Sequence, residues 1–144
     1  MKIMSILLCF SMTNFSSFSQ NISGTWKGNF INYTLSSGNI RETSIYLILD
    51  HKNDSLTGHS LTIFKQNKIL DTAVCVIAGR VRKNKVNISE TSLVNIKFKD
   101  VAPCLQTMEL RIGTGKNSSR MSGEWVGDRS LCGEGGIEFK KMKD

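Results

Sequence analysis

From Gly24 onward, apolar and polar residues alternate with a period of two, in stretches separated by clusters of turn-forming residues. Residues 24–34 set Trp26, Gly28 and Phe30 on one face against Thr25, Lys27 and Asn29 on the other. Ser36-Ser37-Gly38-Asn39 turns the chain into residues 43–50, where Ile45, Leu47 and Leu49 alternate with Ser44, Tyr46 and Ile48. Lys52-Asn53-Asp54-Ser55 predicts a tight reversal into residues 56–64. Residues 73–82 put Ala73, Cys75, Ile77, Gly79 and Val81 on one face, and Lys83-Asn84 is a two-residue turn into residues 85–91, the clearest hairpin of the chain.

A long connection from Glu90 to Leu105, carrying Pro103 and Cys104, precedes a strand over residues 106–112, a turn over 113–119, and strands over 121–127 and 136–140. Residues 94–98 also alternate, which leaves a ninth strand open. No segment after Gln20 carries an apolar stripe of helical period. The expected fold is all-β: an eight-stranded antiparallel up-and-down β-barrel, whose closure leaves no exposed edge.

A different pattern precedes Trp26. Lys2 gives a positive start, residues 3–10 are apolar apart from Ser5, and Ser17 and Ser19 occupy the −3 and −1 positions of a cleavage site before Gln20. Residues 1–19 therefore read as a secretory signal peptide. The apolar run is far shorter than the roughly 20 residues that cross a bilayer, and Cys9 stands too early, after the bulky Leu8, for an acylated lipoprotein leader. The expectation is a secreted or periplasmic product without a membrane span, in which residues 20–144 form a single domain.

Without Lys2 the charge balance is 18 basic against 12 acidic residues, a net charge of +6. Such a balance raises nucleic acid, anionic glycans and anionic membranes as partners. The positive residues are dispersed along the chain, however: Arg80, Arg82, Lys83 and Lys85 gather at the expected hairpin, Lys140, Lys141 and Lys143 at the C-terminus, and the rest stand singly. They read as a solubilising surface with a basic hairpin tip, and no nucleic-acid partner is expected. Export also allows disulfides. Cys104 and Cys132 lie in irregular stretches and Cys75 in an apolar strand, so the expected bond is Cys104 to Cys132 with Cys75 a buried free thiol.

With Gly24-Thr25-Trp26 on its first strand and a meander after it, the chain from Gln20 resembles the calycins, the group of lipocalins, fatty-acid-binding proteins and avidins. The resemblance implies that Trp26 closes the base of the barrel and that Lys140 or Lys141 packs over it. The phrases Leu56-Thr57-Gly58, Gly79-Arg80-Val81 and Met121-Ser122-Gly123-Glu124-Trp125, with Cys104 and Cys132, also resemble uncharacterised exported barrels of Bacteroidota. Asp54-Ser55-Leu56 and Asp71-Thr72-Ala73 resemble the O-glycosylation tripeptide of such bacteria, and Asn21, Asn32, Asn53, Asn87 and Asn117 begin N-x-Ser/Thr sequons.

Glu90 is the most informative polar residue, because Val86 and Ile88 precede it on the apolar face of their strand. An inward carboxylate needs a partner or a proton. It is read either as an anchor for a ligand amine or hydroxyl, or as a strand-end residue paired with a lysine or in solvent. Ser60 and Thr62 could add hydroxyls to one wall. His51 is expected at a turn and His59 on a strand surface, with no nucleophile near either. No CxxC or paired-histidine spacing suggests zinc. The chain is thus expected to be no enzyme and to hold no cofactor or metal. It is expected to bind a small apolar or amphipathic ligand inside, against Trp26, Phe30, Leu47, Ser60, Glu90, Met108 and Trp125. The alternative is a filled barrel that acts through its loops as an inhibitor or adaptor of another secreted protein.

Overall fold

A computed structural model describes residues 20–34, 42–66, 69–97, 104–129 and 132–143. The expected signal peptide, the turn at 36–39 and Pro103 lie outside the described residues. Eight strands follow one another: β1 (Gly24–Thr34), β2 (Glu42–Lys52), β3 (Ser55–Gln66), β4 (Ile69–Arg82), β5 (Lys85–Lys97), β6 (Gln106–Ile112), β7 (Arg120–Gly127) and β8 (Glu134–Lys141). A 3-10 turn, Gly115–Asn117, joins β6 to β7. Each strand pairs antiparallel with the next and β8 returns to β1, which closes the barrel.

Period-two alternation decides which residues face inward. On β6 the alternation is unbroken: Gln106, Met108, Leu110 and Ile112 are buried, while Thr107, Glu109 and Arg111 are exposed. The same rule buries Trp26, Ile45, Leu47, Ile77, Val81, Val86, Ile88, Met121, Ile137 and Phe139 in one core. Each fully buried Leu or Ile side chain contributes about 1.5–3 kcal/mol relative to exposure. Gly28 is required by this packing, because a Cβ there would collide with the Phe139 ring and come within 2.7 Å of Ile45 Cγ2. Gly58, at φ +149°, lets β3 approach the Ile48 carbonyl where a Cβ would clash.

The segment before β1 seals one end. Ile22 is fully buried and its carbonyl accepts a 2.9 Å hydrogen bond from Trp26 Nε1. Lys141 Nζ lies 5.7 Å from the centroid of the Trp26 ring. Between the two lysines named from the resemblance, Lys141 takes this place and Lys140 is exposed on the outer face.

The opposite end carries the Cys104–Cys132 disulfide, with Cα atoms 5.7 Å apart, and Cys75 is a buried free thiol. Residues 94–97 do not begin a ninth strand; they continue β5. Two register shifts against β4, between Val74/Cys75 and Val76/Ile77, insert extra residues at Thr91 and Val94. Each such bulge breaks the inward–outward phase, so the alternation reads as two strands; Leu93, opposite the buried Cys75, and Val94 are both exposed. The connection expected from Glu90 to Leu105 accordingly starts only after Lys97.

Candidate functional site

Glu90 faces the interior of β5 and is only 7% exposed. Its Oε1 accepts a hydrogen bond from Ser60 Oγ, and its Oε2 accepts one from the Gln106 backbone N–H at 2.8 Å. Ser60 and Thr62 are buried on the same face of β3. Cys75 stands opposite Ser60 on β4, between the strands that carry Ser60 and Glu90. Among the described residues no lysine or arginine pairs with Glu90, so neither of the two bland positions, lysine-paired or in solvent, is the one it occupies.

Burial pushes the Glu90 carboxyl above its usual range; the Ser60 hydroxyl and Gln106 N–H pull it down, and the charge of Asp128 raises it further. Burial likewise pushes the Cys75 thiol up to about 11, reinforced by the Glu90 charge and opposed by a hydrogen bond to Ser60. These groups form one coupled polar cluster within an apolar barrel.

Two further polar atoms share this end. Gln106 Oε1 and Trp125 Nε1 are buried without a hydrogen-bond partner among the described residues. Met108 pairs with Trp125 across β6 and β7. That register sets Gln106, two residues away on the same face, diagonal to the indole. Phe30 meets Trp125 edge to face, with ring centroids 5.1 Å apart. The result is an aromatic pair beside acceptors on Glu90 and Gln106 and a donor on Trp125.

All seven residues expected to line the interior lie on inward strand positions, but they separate into two groups. Trp26, Leu47 and Met108 have no exposed surface and belong to the packed core. Ser60, Glu90, Phe30 and Trp125 lie toward the disulfide end. Sequence reasoning missed Gln106 and gave Cys75 no role beside Glu90. The signal for Gln106 was present, since it extends the inward series of Met108, Leu110 and Ile112 by one step.

His51 belongs to β2 rather than a turn. Its Nδ1 accepts a 3.4 Å bond from the Ile22 N–H, and among the described residues its buried Nε2, at the Trp26 end, has no partner. His59 is exposed on β3, as expected. Cys104, Asp128 and Cys132 bring potential metal-ligand atoms within 4.8 Å of one another, but both sulfurs are engaged in the disulfide. A groove of about 890 Å³ lies along β6, β7 and β8, lined by outward residues such as Glu109, Ser122, Glu124, Glu134 and Glu138, and it reaches Trp125. Glu90, Ser60 and Gln106 are not among its lining residues.

Comparison of the chain with protein-family models, with curated proteins and with solved structures finds no match.

Proposed function

We propose that this chain is an exported, non-enzymatic calycin-like barrel that holds a small amphipathic molecule at its disulfide end. The observation that carries this reading is the concentration of unspent hydrogen-bonding capacity there. Buried polar groups normally find partners, yet among the described residues Gln106 Oε1 and Trp125 Nε1 have none and Glu90 lacks a cation. A ligand with an apolar body against Phe30 and Trp125, a hydroxyl or amine donor toward Glu90 and Gln106 Oε1, and an oxygen that accepts from Trp125 Nε1 would satisfy all three. Burial of its body supplies about 25 cal/mol per Å², and the polar groups orient it. Export is supported by the Cys104–Cys132 bond, which persists in oxidising compartments.

The rival reading, a filled barrel acting through its loops on another secreted protein, draws support from the full burial of Trp26, Leu47 and Met108. The two separate by native mass spectrometry of the protein secreted by its own host, recorded before and after organic denaturation. A discrete extra mass that leaves on denaturation is the expected result. Titration of that compound by tryptophan fluorescence should then show Glu90→Gln binding about tenfold or more weakly, as for a lost hydrogen bond to a charged group. A bare mass, with no fluorescence response to dodecylamine or dodecanol as amphipathic probes, would move the assignment to the protein partner.

A further inference from the structure

Lysines and arginines that stand apart in the sequence are brought into line by the strand register. On the outer face Arg82 of β4 is opposite Lys85 of β5, and Lys85 is opposite Arg111 of β6. Arg120 of β7 is opposite Lys140 of β8, and Lys140 is opposite Lys27 of β1. All six side chains are exposed. The two rows meet at the step from β6 to β7. Arg111 pairs with Ser122, so Arg120, two residues away on the same face, takes the diagonal position about 7–8 Å off. Six cations thus form a belt across six consecutive strands, roughly 24 Å along the girth at ordinary strand spacing.

Like charges directly opposite one another destabilise a sheet, and the belt contains four such pairs. Among the described residues none of the six forms an ion pair with a carboxylate. The next row toward the disulfide end carries Arg80, Asn87, Glu109 and Glu124, so the belt is two residues wide on β4 and a single residue wide from β5 to β7. A narrow line of unpaired cations that bends around a cylinder fits an anion that is itself narrow, linear and flexible.

We propose that this belt binds an acidic polysaccharide, whose sulfates or carboxylates follow the six cations around the barrel. A flat lipid surface touches one side of a cylinder and cannot reach charges spread over six of its eight strands. Single-stranded nucleic acid can follow the curve, but its binding draws on bases stacked upon aromatic faces. The ring beside the belt, Tyr46, is half-buried and covered by Lys27, whose Nζ lies 5.8 Å from its centroid. This inference is independent of the interior ligand.

The test is calorimetric titration of the wild-type protein with heparin at several salt concentrations, beside two triple variants of equal net charge. The belt variant is Lys85→Gln, Arg111→Gln and Lys140→Gln; the control is Lys52→Gln, Lys97→Gln and Lys143→Gln. Wild type should bind, with log K falling linearly against log salt. The belt variant should bind at least about tenfold more weakly, with a slope shallower by about two to three, and the control should stay within about twofold of wild type. The belt variant should melt no lower than wild type, because opposed like charges have been relieved; should it fail to fold, Lys140→Gln alone should still weaken binding about threefold. Absence of heparin binding, equal losses in both triple variants, or tighter binding to a single-stranded oligonucleotide or to anionic vesicles would each overturn the assignment.

Discussion

Ser60 and Glu90 are joined by a hydrogen bond although their strands, β3 and β5, are not neighbours; the bond passes across β4 at the level of Cys75. A contact of this kind arises only because β3, β4 and β5 curve around a common interior. It ties two walls of the barrel through a carboxyl group and places the free thiol beside it. Curvature therefore turns three residues dispersed along the chain into one titrating unit.

The pH dependence of stability should carry the signature of Glu90. Its folded-state pKa is raised, chiefly by burial, so the folded protein takes up a proton more readily than the unfolded chain. The resulting stabilisation is fully present below the unfolded value of about 4.3 and is lost as pH rises through the folded value. Glu90→Gln imitates the neutral acid and should remove that loss. Melting curves should show the variant gaining on wild type between pH 4 and pH 8, by a few degrees for a domain of this size. A difference that stays constant across that range would mean the ionised form costs nothing in this site.

Cys75 should be chemically silent while the barrel is folded. At a thiol pKa of about 11, roughly one part in a thousand is thiolate at pH 8, and the group is buried as well. For protein comprising residues 20–144, a thiol reagent without reductant should label nothing in the native state and one site in denaturant. Labelling of the native protein, or of Cys104 or Cys132, would contradict the assignment. Glu90→Gln should lower the Cys75 pKa, since the Glu90 charge is its second cause after burial.

The Cys104–Cys132 bond spans 28 residues. In the chain-entropy account a loop of that length stabilises by about 3–4 kcal/mol. The double variant Cys104→Ser, Cys132→Ser should lose that amount in urea unfolding without loss of strand content by circular dichroism. Because β6 begins two residues after Cys104, the loss should fall first on amide protection at Gln106, whose N–H holds Glu90.

Alternation made most of the barrel legible, since the phase of residues such as Ile45, Leu47 and Leu49 fixes an inward face without any knowledge of partners. It failed where the backbone leaves phase. Thr91 and Val94 are inserted against β4, and nothing in their chemistry marks a bulge, so one strand reads as two. The site was legible one residue at a time: Glu90 and Ser60 follow from phase, but their meeting across β4 depends on curvature. The cation belt was hidden for a related reason. Arg82, Lys85 and Arg111 become a row only once register sets them side by side.

The two-residue turns offer an internally controlled test of backbone strain. Asn53 begins the β2–β3 turn and Lys83 the β4–β5 turn, and both adopt φ +56°. Asparagine visits the left-handed region readily, whereas a lysine Cβ there sits close to the following carbonyl and costs about 1–2 kcal/mol. Glycine carries no Cβ and removes that cost, at the expense of a larger loss of chain entropy on folding. Lys83→Gly should therefore stabilise by up to about 1 kcal/mol, while Asn53→Gly should change little or destabilise slightly. Lys83 is exposed, so Lys83→Asn provides the companion that keeps the chain entropy nearly constant and should stabilise at least as well. Chemical denaturation of the three variants measures this directly. If Lys83→Gly and Lys83→Asn both destabilise, the lysine side chain contributes contacts at the turn that outweigh its backbone strain.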